Sequence, residues 1–219
     1  MAKNQATAKI TQASLRNGII LAVFALVSTG LIALTHLITK DRIAQAIETA
    51  LAKRLNQIVP ASRYDNDVYR DCRLLSHPEL LGENNLKAYR MRNQGENYAV
   101  FITSVAPDGY AGRISLITGI LSDGSIAGVR ITSHQETPGL GDKIEIEKSD
   151  WITQFDGRSL ANTTPEGWQV KKDGGEFDAL TGATITPRAI VKAVHKTLQF
   201  YQPNQQHLYA LENPCGAAH

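Results

Sequence analysis

The chain has 219 residues, enough for one sizeable domain or two small ones. Its formal net charge is only +2 and aromatic residues make up 6% of it, so the composition gives no sign of a nucleic-acid-binding surface. Charged residues are ordinary in number, but none lies between Arg16 and Lys40. An uncharged stretch of this kind is typical of a membrane segment.

Residues 17–39 are dominated by Leu, Ile, Ala, Val and Phe. A helix of that length, rising about 1.5 Å per residue, spans a hydrocarbon core of about 30 Å, so we predict a transmembrane helix over 17–39. The alternative is a cleaved signal peptide, because Ala44-Gln45-Ala46 resembles a cleavage site. The apolar stretch is longer than the roughly 7–15 residues of a signal peptide, which favours an uncleaved anchor.

Charge is distributed unequally about this segment. Lys3, Lys9 and Arg16 precede it without any acidic residue, whereas the other flank carries both signs. The positive-inside rule then places residues 1–16 as an arm in the cytoplasm of a bacterial cell. We expect the anchor to sit in the lipid of the inner membrane and the chain beyond residue 40 to lie in the periplasm.

After the anchor, apolar residues recur at helical spacing from Ile43 to Ile58, and Pro60 ends the pattern. This predicts an amphipathic helix whose apolar side faces a core. We interpret residues 40–86 as a helical linker together with the N-terminal part of the periplasmic region.

From Lys87 onward the pattern becomes rich in β-forming residues, and strands are predicted at 98–105, 114–121 and 126–132. Turns are expected at Pro107-Asp108-Gly109 and at Asp123-Gly124, which makes the strands an antiparallel meander. Helices are expected at 151–155 and 188–201, and the chain after Pro203 is expected to lie loosely on the surface. Strands followed by helices, without βαβ alternation, predict an α+β fold: a mainly antiparallel sheet with flanking helices over 87–202, then a tail over 203–219.

The chain has two cysteines, Cys72 and Cys215, both on the predicted outer side. They are too far apart in sequence for a compact iron–sulfur or zinc motif. In an oxidising compartment such a pair suggests a disulfide that ties the C-terminal tail to the N-terminal part. Two unpaired, buried thiols remain the alternative.

Two glycine-bearing segments are candidates for chemistry. The first, residues 134–143 (HQETPGLGDK), directly follows a predicted strand. Gly139 and Gly141 have no side chain to block a flat ligand, and the backbone there can present N–H groups to it. Pro138-Gly139 is equally typical of a tight turn without any ligand, so both interpretations stay open at this point.

The second segment, residues 171–188 (KKDGGEFDALTGATITPR), leads into a predicted helix. Thr186 suits the N-cap of that helix and Pro187 its first position. Thr184 would then lie just ahead of the helix, where free N–H groups and the positive end of the dipole stabilise a phosphate. A capping role alone for both threonines is the alternative. A P-loop is disfavoured because no Gly-Lys-Ser/Thr run follows the glycines.

Residues 178–184 (DALTGAT) resemble the flavinylation motif of FMN-binding domains, in which the final Thr is esterified to the FMN phosphate. Together with HQETPGLGDKIE and the stretch that begins at Trp168, the chain resembles the G subunit of the Rnf electron-transport complex. The resemblance covers most of the chain, including the single N-terminal span. The related C subunit of the sodium-pumping NADH:quinone reductase shares the flavin motif, but TITPR and the compact length favour the Rnf member.

This resemblance implies FMN held covalently on Thr184. We further expect the HQETPGLG segment to hold the isoalloxazine ring and Lys171 to stabilise reduced flavin, whereas Lys172 is interpreted as a surface lysine. His134 is a candidate neighbour of the ring edge, and an ordinary exposed histidine is the favoured alternative. No catalytic residue or metal ligand is predicted. The expected cofactor-binding residues are Thr184, Thr181, Gly182, Ala183, Asp178, Thr137, Pro138, Gly139, Leu140, Gly141 and Lys171.

A threonine hydroxyl is a poor nucleophile at neutral pH, and no histidine lies beside Thr184 in the sequence. The resemblance therefore implies a separate flavin transferase that uses FAD. It also implies an electron relay in a complex that couples ferredoxin and NAD, with the other Rnf subunits as partners. The alternatives are a structural or assembly subunit and a stand-alone periplasmic flavin reductase.

Overall fold

The computed structural model describes residues 2–210 of the chain and divides them into two compact units between Ala50 and Leu51. Within those residues the fold comprises α-helices, 3₁₀ helices and one five-stranded sheet. The regular elements are α1 Ala2–Ile58, β1 Cys72–Leu75, α2 Pro78–Leu81, β2 Leu86–Asn93, β3 Glu96–Gly109, β4 Gly112–Leu121, β5 Ile126–Ser133 and α3 Ile185–Tyr209. The 3₁₀ helices are Ala61–Arg63, Gly141–Ile144, Asp150–Phe155 and Lys171–Asp173.

The first unit is helical. From Leu15 onward α1 is long and apolar enough to cross a membrane, with a mean hydropathy of 2.3 in its most apolar window. The hydroxyl of Thr35 donates to the carbonyl oxygen of Leu31 at 2.8 Å, so a polar side chain inside the apolar stretch is satisfied by the helix itself.

The end of α1 belongs to the second unit. Pro60 cannot continue a helix, and α1 ends two residues before it, at Ile58, as predicted. The predicted apolar side of this helix faces a core only in part, because Leu55 is buried whereas Ile43 and Ile47 are exposed. The core-facing part of the pattern therefore lies in the last turns of the helix.

The sheet is an antiparallel meander in the order β1-β2-β3-β4-β5, so the predicted α+β class with a mainly antiparallel sheet is confirmed. Strands β1 and β2 were not predicted from the sequence. Cys72 pairs with Tyr89, which places a strand from the segment interpreted as linker at the edge of the sheet. Four-residue β1 is too short to show a period-2 pattern.

The first predicted turn is wrong. Pro107-Asp108-Gly109 lies inside β3, and the chain reverses at Tyr110 and Ala111, where Gly109 pairs with Gly112. The pairing is irregular between Ala106 and Gly109. Pro107 is accommodated there because the irregular pairing does not require the ladder N–H that proline lacks. The β3–β4 hairpin is therefore longer than predicted, and its tip reaches the cleft described below. The predicted turn at Asp123-Gly124 is confirmed, with Gly124 at φ +87°.

Both faces of the sheet are covered. Val100 and Ile102 of β3 pack in a cluster with residues of α3 and the 3₁₀ helices, whereas Ala99 and Phe101 pack in a second cluster with Leu55 of α1. This alternation follows from the period-2 geometry of a strand. The sheet is therefore a central layer, and α3 packs against one side of it.

Helix α3 is longer than predicted and continues through Pro203. The expectation of a loose surface chain after Pro203 is wrong for residues 204–209, because Leu208 and Tyr209 are buried. Asn204 Nδ2 donates to the carbonyl oxygen of Phe200 at 2.8 Å, close to the turn where the proline removes a backbone donor. Burial of the two apolar side chains stabilises this last part of the helix.

Two arginines of β2 hold the end of α3. Arg90 donates to the carbonyl oxygen of Ala210, and Arg92 donates to that of Tyr209 at 3.2 Å. Both guanidinium groups also form ion pairs with Asp71, which buries their charge together with an opposite one. The chain at residues 209–210 is therefore fixed beside the start of β1.

We predict that Cys72 and Cys215 form a disulfide. Cys215 lies outside the described residues, but it follows Ala210 by five residues, a reach of up to about 17 Å. Closing a loop of this length contributes up to about 4–5 kcal/mol to the free energy of unfolding. The single variant Cys215→Ser should then lower the free energy of unfolding, measured with urea, by as much as the double variant Cys72→Ser/Cys215→Ser. Alkylation of both thiols before reduction would contradict the bridge.

A pair of glycines on the sheet receives the end of α1. Gly119 and Gly128 face each other across β4 and β5, and a Cβ at Gly128 would lie 2.9 Å from Cγ2 of Ile58. We expect Gly128→Val to lower the free energy of unfolding by about 1–3 kcal/mol through overpacking. Adding Ile58→Ala should recover part of that loss, because the two changes act on one contact; strictly additive effects in urea unfolding would argue against it.

Candidate functional site

A cleft of about 400 Å³ lies between the two glycine-bearing segments identified in the sequence. Its walls come from the tip of the β3–β4 hairpin, the loop after β5 and the start of α3. The lining residues are Tyr110, Glu136, Thr137, Leu140, Gly141, Gly182, Ala183, Thr184, Ile185 and Thr186. The fold thus brings both segments together at one site.

The loop after β5 makes a tight turn beside the cleft. The N–H of Leu140 donates to the carbonyl oxygen of Thr137 at 3.2 Å, and Gly139 has φ +79°, as the third residue of a Pro-Gly turn requires. Gly141 is confined by space, since a Cβ there would lie 2.7 Å from Oε2 of Glu136. One glycine is therefore required by conformation and the other by close approach.

The segment before α3 is fixed by the longest 3₁₀ helix. Nε1 of Trp151 donates to the carbonyl oxygen of Asp178 at 2.6 Å, and the N–H of Asp178 donates to Oε1 of Gln154 at 2.7 Å. Further along, Gly182 has φ +82°, and a Cβ there would lie 2.9 Å from Cδ2 of Leu140. The two glycine-bearing segments therefore pack against each other at Gly182.

Thr184 is the N-cap of α3, and it is half-buried at the edge of the cleft. Its side chain makes no capping hydrogen bond, so the helix does not use its hydroxyl. The first N–H groups of a helix have no carbonyl partner within it, and the helix dipole is positive at this end. The surroundings of Thr184 consequently suit a phosphate group.

Thr186 is not the N-cap that the sequence predicted. It lies inside the first turn of α3, is fully buried, and its hydroxyl donates to Oε2 of Glu136 at 2.5 Å. Pro187 follows in the same turn, where a missing N–H removes no intrahelical bond. The N-cap is therefore Thr184, two residues before the predicted one, and the hydroxyl of Thr186 makes a tertiary contact instead.

Glu136 is the main residue of the cleft that sequence analysis missed. Glu136 is only 4% exposed, and its Oε1 accepts a hydrogen bond from the N–H of Ala111 at 3.1 Å. A glutamate between Gln135 and Thr137 carries no signal of burial in one sequence. Tyr110 was missed because the hairpin turn was placed before it.

Three large apolar side chains surround the cleft yet remain exposed to solvent. Tyr110 is 67% exposed, Ile185 46% and Leu140 43%. Such side chains close together at one opening are typical of a ligand groove or a contact surface. They give the cleft apolar walls above the polar floor that Glu136 and Thr186 provide.

Several predicted site residues lie outside the lining of the cleft. Lys171 forms an ion pair with Asp178, with Nζ 2.6 Å from Oδ1, and both side chains are more than half exposed. Thr181 is exposed as well. Pro138 and Gly139 shape the turn beside the cleft, and Lys172, interpreted as a surface lysine, is exposed.

His134 does not line this cleft either. Its side chain is 12% exposed, its Nε2 lies 2.6 Å from Oε1 of Glu145, and its Nδ1 accepts from the N–H of Glu136 at 3.0 Å. Lys148 adds contacts to Asp142 at 2.9 Å and to Glu145 at 3.1 Å. This charged cluster supports the Pro-Gly loop through residues that do not line the cleft.

We expect the cluster to make the stability of the loop depend on pH. The hydrogen bond from Lys148, and then the N–H of Gly139, lowers the pKa of Asp142, and the hydrogen bond from His134 lowers the pKa of Glu145. Lowered carboxylate pKa values stabilise the fold fully above the unfolded values of about 3.9 and 4.3, and this stabilisation is lost as the pH falls further.

The variant Lys148→Met should therefore flatten the acid limb of the unfolding free energy. Urea unfolding of the solubilised chain, followed from about pH 7 down to about pH 3, measures this dependence. Lys143→Met, which changes a lysine of the same loop without an ion pair among the described residues, is the matched control. Equal acid limbs in both variants would contradict the assignment.

The features of the cleft fit an FMN group. The volume lies within the range of about 300–1,000 Å³ typical of small-molecule sites. The start of α3 offers a helix N-terminus and the hydroxyl of Thr184 for a phosphate. The backbone beside Gly141 and the apolar walls offer a surface for a flat ring.

Comparison with known proteins agrees with this description. Residues 109–199 match the family described as "FMN-binding domain", and residues 1–58 match "RnfG N-terminal region". Two similar proteins are each named as the G subunit of an ion-translocating oxidoreductase complex. The one from Vibrio atlanticus is 47% identical over 92% of this chain and 96% of its own length. The one from Shewanella baltica is 45% identical over 94% and 97%.

The fold and the cleft thus define an FMN-binding domain that follows an apolar N-terminal helix in the chain. The chain belongs to the family of G subunits of the Rnf ion-translocating oxidoreductase complexes. The family expected from the resemblance is confirmed, and FMN is its cofactor.

Proposed function

We propose that this chain relays electrons inside a membrane-bound, ion-translocating complex through FMN esterified to Thr184. The observation that carries the proposal is the position of Thr184. It is the N-cap of α3 at the edge of the cleft, and its hydroxyl makes no capping hydrogen bond. FMN, when bound, supplies the chemistry of accepting and donating electrons. The protein supplies position, exclusion of water and electrostatics.

At the phosphate end, the free N–H groups at the start of α3 would bond the phosphoester oxygens, and the helix dipole would stabilise their charge. Thr181, Gly182 and Ala183 form the turn that delivers Thr184 to this position. At the ring end, we assign the backbone of Pro138–Gly141 and the side chain of Thr137 to the isoalloxazine group. The apolar side chains of Leu140 and Ile185 would cover its faces.

Among the described side chains none hydrogen-bonds to the hydroxyl of Thr184 as a base would, so we propose that a separate flavin transferase forms the ester. Asp178 belongs to the motif, but its carboxylate is paired with Lys171 outside the cleft lining. Lys171 then acts on the motif through Asp178, and a direct role of Lys171 toward reduced flavin is the less favoured assignment. Both side chains are exposed, where a transferase can reach them.

The relatives' name supports a place in a multi-subunit complex, with its other subunits as partners. We propose ferredoxin and NAD as the ends of its electron path, in line with the resemblance. The flavin domain is assigned to residues 87–202, and the family match at 109–199 lies within it.

We further propose that this domain is periplasmic. Residues 1–16 carry an excess of positive charge, and such an excess favours the cytoplasmic side of a membrane span. A reporter fused after residue 60 that is active only in the periplasm would agree.

The electron relay is tested on the assembled complex with Thr184→Val. We expect the subunit to remain in the purified complex while electron transfer between ferredoxin and NAD is lost. Activity at the level of the unmodified complex, with no flavin on this subunit, would instead favour a structural or assembly role. Substrate reduction by the isolated flavin-loaded subunit, at rates matching the complex, would favour a stand-alone reductase.

A further inference from the structure

Glu136 places a carboxylate inside the flavin cleft. The residue lines the cleft yet is only 4% exposed. Its two oxygens have separate donors, with Oε1 accepting from the N–H of Ala111 at 3.1 Å and Oε2 from the hydroxyl of Thr186 at 2.5 Å. The side chain therefore cross-links the hairpin tip to the start of α3.

Among the described side chains, those of residues 15–43 and 45–210, no lysine or arginine forms an ion pair with the carboxylate of Glu136. His134 contacts the backbone of the same residue, with Nδ1 accepting from the N–H of Glu136 at 3.0 Å. The charge of the carboxylate is compensated by the N–H of Ala111, the hydroxyl dipole of Thr186 and the positive end of α3. A buried charge that is neutralised only by dipoles acts strongly on its surroundings, because water screens it poorly.

We propose that Glu136 is a tuning residue that lowers the reduction potential of the flavin in this cleft. The inference rests on the proposed function, which puts the ring beside the residues that line the cleft together with Glu136. Each electron that enters the ring without a proton adds one negative charge to the cleft. The fixed charge of Glu136 opposes that addition and so favours the oxidised flavin.

Glutamine at this position separates charge from structure. Its amide oxygen accepts from the N–H of Ala111, and its amide nitrogen donates to Thr186 once that hydroxyl rotates, since a hydroxyl both donates and accepts. Glu136→Gln therefore keeps both cross-links and removes only the charge. A merely structural role of Glu136 predicts no change of potential in this variant.

The test is a redox titration of the full-length, flavin-loaded chain in detergent, with dithionite as reductant and mediator dyes, at one neutral pH. We expect a higher midpoint potential for Glu136→Gln and an unchanged one for Glu166→Gln, the same substitution at an exposed position. An unchanged or lower potential for Glu136→Gln overturns the inference.

A second variant decides the matter if Glu136→Gln does not hold flavin. Thr186→Val removes a donor to Glu136 and leaves its charge less compensated, so the potential should fall; a potential at or above that of the unmodified chain overturns the inference. Fluorescence of the denatured chains distinguishes a failure of the proposed attachment at Thr184 from a failure of the role of Glu136. If Thr184→Val keeps its flavin, the proposed attachment fails, whereas loaded chains with equal potentials contradict only the role of Glu136.

Discussion

Thr184→Val is expected to abolish covalent flavin. Valine has nearly the shape of threonine and lacks the hydroxyl that would form the ester, and Thr184 gives no capping hydrogen bond to α3. The fold should therefore survive, with a change in unfolding free energy within about 0.5 kcal/mol. In-gel fluorescence of denatured protein, made together with a flavin transferase, measures the label, and mass spectrometry checks for an FMN joined with loss of water.

Two matched variants make this expectation sharp. Thr184→Ser keeps a hydroxyl at the same atom and should keep at least part of the label. Thr181→Val removes the other hydroxyl of the motif, which is exposed and lies outside the cleft lining, and should leave the attachment site unchanged. A label that persists in Thr184→Val and disappears in Thr181→Val would move the ester to Thr181.

The second large effect is expected for Gly141→Val. A Cβ at this position would lie 2.7 Å from Oε2 of Glu136 and 3.2 Å from Oγ1 of Thr186. The added side chain therefore displaces the loop or breaks the contact between those two residues. We expect attachment at Thr184 to survive while the absorption spectrum or midpoint potential of the flavin changes.

Gly139→Ala is the control for this variant, because no described atom outside its two chain neighbours lies within 4 Å of a Cβ at Gly139. Its cost comes from the left-handed backbone conformation alone, about 1–2 kcal/mol of local strain. Its flavin spectrum should differ less than that of Gly141→Val. If the Gly141 variant loses its label while any flavin it retains is spectrally normal, the loop serves transferase recognition and not ring binding.

The sequence predicts the part of the fold that rests on periodic patterns. The apolar helix, the antiparallel meander of β3 to β5 and the helix after the TGAT motif all follow from local spacing. The meeting of two distant glycine-bearing segments was expected only through a resemblance, yet Gly182 packing on Leu140 gives it a physical basis. Local patterns work here because each element is long and its apolar face is continuous.

The missed features depend on tertiary contacts. Thr186 has every local mark of an N-cap, but its hydroxyl donates to Glu136, a residue far away in sequence. The hairpin passes Pro107 because an irregular pairing accommodates it, and α3 passes Pro203 because burial of Tyr209 outweighs the missing bond. No spacing rule in a single sequence contains these long-range energies.

Helix α3 also has a mechanical consequence. Its 25 residues form a rod of about 37 Å, with Thr184 at one end and the arginine-held carbonyl of Tyr209 at the other. Because the rod packs along the sheet, thermal displacement at the Thr184 end is shared with a well-packed body and is not taken up by a loop. Under the proposed attachment to Thr184, this packing holds the flavin in place and keeps the distance of each electron transfer nearly constant from one turnover to the next.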